Sequence, residues 1–179
     1  MGPAPLCVVT LCTGNAARSV MAGIMLAQLA ELEGLELELI TAGTLVVEGQ
    51  PMGLSTRRAL EAIGEIDTSV MGRHRSHQLS DLDVLRADVI LAMEADHVRY
   101  VRAKHPSGAD KALMIRRLVA ELSPDDLPFG ARLAALQPAR LELDVELEVS
   151  DPAGSAQGAY DACARELWEL CQVAVALMA

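Results

Sequence analysis

Near its start the chain carries Leu6-Cys7-Val8-Val9-Thr10-Leu11, a short apolar and β-branched run with no polar face. Such a run predicts a strand buried on both sides, as in a parallel sheet. Gly14 and Asn15 interrupt it. Apolar residues then recur at Met21, Ile24, Met25, Leu29 and Leu32, the spacing of a helix that Gly34 ends. Leu35 to Thr41 reads as a second strand and Gly53 to Ile63 as a second helix. Asp88 to Met93 (DVILAM) predicts a third strand, followed by a helix to about Ala103. Ala112 to Ile115 predicts a fourth strand, running into a helix over Arg116 to Glu121. A final helix spans Ala156 to Met178, with Tyr160, Cys163, Leu167, Leu170 and Val173 on one side. Strands alternating with helices predict an α/β fold, a four-stranded parallel sheet with helices on both faces.

The pattern breaks over Ser123 to Ser150, where Pro124, Pro128 and Pro138 exclude a long helix. Beyond them Leu141, Leu143, Val145, Leu147 and Val149 alternate with Glu142, Asp144, Glu146 and Glu148. Strict alternation predicts an extended, half-buried segment, an added edge strand or flap. No repeat or low-complexity tract is present, and 179 residues suit one domain. Residues 1–179 are therefore expected to form a single domain, with 123–150 as an insertion.

Composition narrows the function classes. Apolar residues make up 51%, enough for a core, but aromatics only 2%, so Leu, Val, Ala and Met must fill it. Fifteen basic against 25 acidic residues give a net charge of -10, which repels nucleic acid and anionic lipid. Neither nucleic acid nor membrane is expected as a partner. No apolar run approaches the roughly 20 residues that cross a bilayer. Met-Gly-Pro-Ala-Pro has neither the basic region of a secretory signal nor, with Leu6 where Ser or Thr belongs, a myristoylation pattern. Four cysteines, Cys7, Cys12, Cys163 and Cys171, form no disulfide framework or paired zinc spacing and fit a reducing compartment. A cytoplasmic protein is expected. His77, His97 and His105 have no ligand spacing, so no metal or organic cofactor is implied.

The candidate chemistry lies between the first strand and first helix, in Cys12-Thr13-Gly14-Asn15-Ala16-Ala17-Arg18-Ser19. A Cys-x5-Arg spacing alone is weak in a chain with 13 arginines; its context is stronger. Ligands of doubly wound sheets bind at the carboxyl ends of strands, beside helix N-termini. The amides of Thr13 through Arg18 can converge there on an anion, with Gly14, Ala16 and Ala17 leaving room. Arg18 can clamp two oxygens. The field that holds an oxyanion also stabilises a thiolate at its centre.

Cys12 to Ser19 resembles the signature loop of the low-molecular-weight protein tyrosine phosphatases. The resemblance continues through Thr41-Ala42-Gly43-Thr44, Glu48-Gly49-Gln50-Pro51, His74-Arg75-Ser76 with Gln78-Leu79, and Ala87 to Glu94. It returns at Asp151-Pro152 before the last helix, leaving the stretch from Ser123 unmatched. It implies a flavodoxin-like phosphatase fold and hydrolysis of phosphorylated protein through a phosphocysteine intermediate. By the same resemblance Cys12 is the nucleophile, Arg18 and the loop amides bind phosphate, Ser19 supports the thiolate and Asp151 is the general acid. Asn15, Thr41 and His74 would hold the loop. Phosphorylated protein or peptide is the implied partner, phosphotyrosine first.

Three departures qualify this. Ala17 stands where many relatives carry a second cysteine, so oxidised Cys12 is expected to lack a rescue partner beside it. Val20 replaces a usual proline. Leu45-Val46-Val47 and Ala153-Gly154 replace the aromatics that flank phosphotyrosine. Thr13 and Asp151 to Ser155 look more like bacterial members that include protein-arginine phosphatases, although Ala16 stands where those carry Thr. Protein-arginine phosphatase is thus the alternative on the same mechanism. An arsenate reductase using Cys163 and Cys171, or a non-catalytic oxyanion-binding module, are the rivals from other classes.

Overall fold

The computed structural model describes residues 4–179. The Met1-Gly2 start weighed above as a targeting signal lies outside the described residues. Four parallel strands, β1 (Leu6–Cys12), β2 (Leu37–Gly43), β3 (Val89–Ala92) and β4 (Ala112–Met114), stand in the order β2-β1-β3-β4. Among the described residues seven α-helices connect and cover them: α1 (Arg18–Glu33), α2 (Leu54–Ile63), α3 (Asp81–Arg86), α4 (Ala95–Lys104), α5 (Ile115–Glu121), α6 (Phe129–Ala135) and α7 (Gln157–Met178). Among the described residues no helix is long and apolar enough to cross a membrane.

Alternation of side chains along the buried strands makes two cores from one sheet. Val8, Val89, Leu91 and Leu113 face α1, α2, α5, α6 and α7. Val9, Leu11, Ile90, Ala92, Ala112 and Met114 face α3 and α4. Helices thus cover both faces, as the sequence pattern predicts.

The second strand starts two residues later than its apolar pattern suggests. Gly34 ends α1 in the left-handed conformation and the Leu35 amide still bonds back to Ala30 O. At its far end β2 runs on through Ala42 and Gly43, paired with Leu11 and Cys12. A Cβ on Gly43 would lie 2.4 Å from Thr13 O and 2.9 Å from Asn15 N. Only glycine lets the strand come this close to the loop after β1.

Residues 123–150 depart from the expectation. The alternating stretch forms no strand: it is irregular, with single 3-10 turns at Pro138–Arg140 and Val145–Leu147. Its carbonyls take hydrogen bonds from side chains rather than from a neighbouring strand. Arg102 Nη2 donates to Pro138 O (2.7 Å) and Leu141 O (2.9 Å), and Arg117 Nη2 to Glu142 O (3.1 Å). Its apolar residues are divided between both cores, Leu141 and Val149 in one and Leu143 and Leu147 in the other. The short α6 before it buries Phe129 and Leu133. Arg132 ties it to the C-terminal helix through Leu177 O at 2.6 Å. Val149 then joins the site, its amide bonded to Met93 O at 2.8 Å.

Candidate active site

The loop Thr13 to Ala17 leaves β1 and enters α1 with no side chain capping the helix. Among the described residues the Thr13 to Ala17 amides donate to no acceptor within the protein. Unpaired amides at the head of a 16-residue helix create a positive field suited to an anion. Asn15 bends the loop at φ 49°, a left-handed conformation that costs a non-glycine residue of order 1 kcal/mol and that Asn tolerates best.

Three contacts hold Asn15 there. Its carbonyl accepts from His74 Nε2 (3.0 Å), its Oδ1 accepts from the His77 amide (2.8 Å), and its Nδ2 donates to Ser19 Oγ (2.9 Å). Because Ser19 accepts from Asn15, its own proton is free for Cys12 Sγ, 3.0 Å away. Thr56 Oγ1 of α2 donates to Ala16 O at 2.9 Å, fixing the loop from the other side. Of the three residues expected to hold the loop, Asn15 and His74 bond within it. Thr41 does not: among the described residues its hydroxyl makes no hydrogen bond, and it lies against Gly23 of α1.

Arg18 is 1% exposed. Burying a guanidinium is costly without partners, and it has three. Nη1 pairs with Glu94 and donates to Val149 O (2.9 Å), while Nη2 pairs with Asp151 Oδ2 at 2.8 Å. Asp151 is far from the loop in sequence, yet the fold places it on the arginine. Its side chain stays 41% exposed, and its Oδ1 accepts from the Ala153 amide in a tight turn.

Besides Thr56, two further residues here were missed by sequence reasoning. Glu94 follows β3, at the same carboxyl end of the sheet as the loop, and holds Arg18 from below. His97, one helical turn on, is buried. Its Nδ1 accepts from the Glu94 amide (3.1 Å), so Nε2 carries the proton and donates to Thr13 Oγ1 at 2.9 Å. Burial outweighs the pull of Glu94 and lowers the His97 pKa to about 4, which keeps the ring neutral in this role. The signal was available: Met93-Glu94-x-x-His97 lies where the third strand ends, the usual crevice of such sheets.

A buried arginine clamp beside a thiol at an open helix N-terminus, on a doubly wound sheet, defines a phosphatase of the cysteine-dependent class. The low molecular weight phosphotyrosine protein phosphatase family matches residues 7–128, and the chain belongs to that family. Similar proteins include a protein-arginine-phosphatase of Bacillus subtilis, 31% identical over 76% of this chain and 89% of the relative. Among solved structures, a low molecular weight protein tyrosine phosphatase from T. tengcongensis aligns with TM-score 0.75 and 28% identity, covering 95% of this chain and 97% of that one. An arginine phosphatase from Geobacillus stearothermophilus aligns with TM-score 0.71 and 25% identity over 96% and 91%.

Two of the other three cysteines, those of α7, bear on oxidation. Cys163 and Cys171 lie buried in α7, and burial pushes the Cys163 thiol up to about 12 and raises that of Cys171. A thiol that burial keeps protonated is a poor nucleophile toward a sulfenic acid. Peroxide is expected to carry Cys12 through sulfenic to sulfinic acid with no intramolecular disulfide. Mass spectrometry of peroxide-treated protein checks this, and a Cys12 disulfide would overturn it. The same inert thiols argue against a cysteine-shuttling reductase.

Proposed function

We propose that this chain hydrolyses phosphorylated side chains of proteins, with Cys12 as nucleophile and Asp151 as general acid. The observation that carries this reading is Asp151 paired with Arg18 at 2.8 Å, beside a Cys12 supported by Ser19 at 3.0 Å. The Cys12 thiolate attacks phosphorus while the bond to the leaving oxygen or nitrogen breaks. Asp151, protonated, gives its proton to the departing group. The loop amides and Arg18 hold the equatorial oxygens as charge develops. Asp151, now a carboxylate, takes a proton from water as the water attacks phosphocysteine. The sulfur–phosphorus bond breaks, phosphate leaves and the thiolate returns. Residues 1–179 act as one phosphatase domain, in which the 123–150 insertion delivers Val149 and Asp151 to Arg18.

Phosphotyrosine is the first substrate by family. A specific observation favours phosphoarginine as a second reading. The Leu45 amide bonds to Thr13 O at 3.0 Å, so Leu45 sits at the loop, and the residue is 78% exposed. Exposed Val47 stands two residues on. An aliphatic rim cannot stack on a phenyl ring as an aromatic one does, but it suits the methylene stem of arginine. The relative from Bacillus subtilis is named for that activity.

The deciding experiment compares matched phosphotyrosine and phosphoarginine peptides in metal-free buffer by phosphate release. A preference for phosphoarginine of about tenfold or more in kcat/KM, roughly 1.4 kcal/mol, assigns the arginine reading. The opposite preference assigns tyrosine. Release from neither peptide sinks both.

A further inference from the structure

Beside the catalytic loop, between α1, β2 and the turn at residues 67–74, lies a cavity of about 340 Å³. No residue of the loop 12–19 lines it, nor do Glu94 and Asp151, so it is not the phosphate site. Its apolar wall is formed by Ile24, Ala27, Leu39 and Val70.

The polar groups around it differ in whether they already have partners. Gln28 uses both ends of its amide, donating to Glu65 O and accepting from the Asp67 amide. The Asp67 carboxylate accepts from the Ser69 amide and hydroxyl at 2.9 and 2.8 Å. Three groups make no hydrogen bond or ion pair among the described residues: the Thr41 hydroxyl, the Glu31 carboxylate and one nitrogen of His74. The Asn15 carbonyl can only accept, so the His74 nitrogen bonded to it, Nε2, carries the proton. Burial lowers the His74 pKa, which keeps the ring neutral and leaves Nδ1 as an acceptor. Among the described lining residues Glu31 and Asp67 outweigh the exposed Arg73, while Arg75, whose guanidinium is tied to Gly72 O and His74 O, does not line the cavity. A neutral imidazole acceptor, a hydroxyl and a net negative rim over an aliphatic wall match a donor-bearing, positively charged ligand with an apolar body.

We propose that this cavity is an effector site for a small apolar amine, and that its occupancy reaches the phosphate loop through His74. The connection is short. His74 Nε2 holds the Asn15 carbonyl, Asn15 Nδ2 holds Ser19, and Ser19 Oγ lies 3.0 Å from Cys12 Sγ. A donor on Nδ1 polarises the imidazole and strengthens its bond to Asn15. The ordered form of the loop is thereby favoured, and anion binding with it. Linkage makes the effect reciprocal: phosphate must tighten the amine by the same factor that the amine tightens phosphate.

The test titrates the full chain with tryptamine, with and without saturating inorganic phosphate, by calorimetry and amide NMR. Saturable binding in the range of about 0.1 to 5 mM is expected for a ligand of this size in a half-open cavity. Phosphate should tighten it about two- to fivefold, a coupling within the usual range. Ala27→Trp, on the exposed part of the wall, should weaken tryptamine at least tenfold and leave para-nitrophenyl phosphate turnover within about twofold. Glu31→Lys, a surface change that does not threaten folding, should weaken it at least threefold. No saturable binding to about 10 mM, or tryptamine affinity unchanged in both variants, overturns the site. Binding without phosphate coupling overturns the transmission through His74. Because binding is read directly, failure of the phosphatase reading would appear separately, as loss of phosphate binding or turnover, and would leave the two variant arms to judge the cavity.

Discussion

Cys12→Ser should reduce hydrolysis of para-nitrophenyl phosphate by at least about 10⁴-fold, to background. The substitution changes one atom at a position buried among the first strand and its helices. Serine can keep the contact with Ser19 and leave Asn15, Arg18 and the loop amides in place. What it removes is the sulfur nucleophile, since an alcohol hydroxyl holds its proton far more tightly than a thiol. The protein should therefore remain folded, with a thermal midpoint close to that of the parent, and should still bind orthovanadate or phosphate. Retained anion binding with lost turnover separates a missing nucleophile from a damaged loop. Residual turnover above about 1% of the parent rate would remove Cys12 from the nucleophile's role.

Asp151→Asn should show a loss that depends on the leaving group. With para-nitrophenolate, which departs with little protonation, about a 10- to 50-fold fall in kcat is expected. With phenyl phosphate, whose leaving group needs the proton, the fall should reach about 10³-fold. Arg18 would retain Glu94 and Val149 O, so the clamp should stay ordered. The contrast between substrates is the informative quantity. Equal losses on both would mean that Asp151 serves only to hold Arg18, through the pairing at 2.8 Å, and that the proton comes from elsewhere.

The sheet was legible where its strands are buried on both faces and read as continuous apolar runs, as Leu6 to Leu11 and Asp88 to Met93 do. The loop was legible because its chemistry is contiguous: Cys12, Arg18 and Ser19 lie within eight consecutive residues. Residues brought in from afar were harder. Asp151 came through resemblance alone, since nothing local distinguishes an Asp-Pro at a turn. Glu94 and His97 were missed although they follow the third apolar run, because their contacts with Arg18 and Thr13 form only once β3 stands beside β1. The short α3 escaped notice although Ser80 and Asp83 form a reciprocal capping box. The prolines of 123–150 exclude a long helix there, but Pro128 also stands immediately ahead of the short α6, at its N-cap, which the sequence pattern did not anticipate. The alternation of Leu141 to Val149 misled because period two reports which way side chains face, not whether a partner strand is present. Here the partners were guanidinium groups from α4 and α5, which no local pattern encodes.

Those guanidinium contacts bear on how copies of this chain meet one another in a crowded solution. β4 is the outer strand of its side, three residues long, and a bare outer strand invites a neighbour's backbone to extend the sheet. The stretch beyond Pro138 packs beside β4, where Leu113, Met114, Arg117, Pro138 and Leu141 share one crevice. Its carbonyls at 138, 141 and 142 are already turned to Arg102 and Arg117. An irregular strap held by charged side chains offers an approaching strand no regular ladder to join. It thereby gives this flank of the sheet little backbone for a second copy to extend.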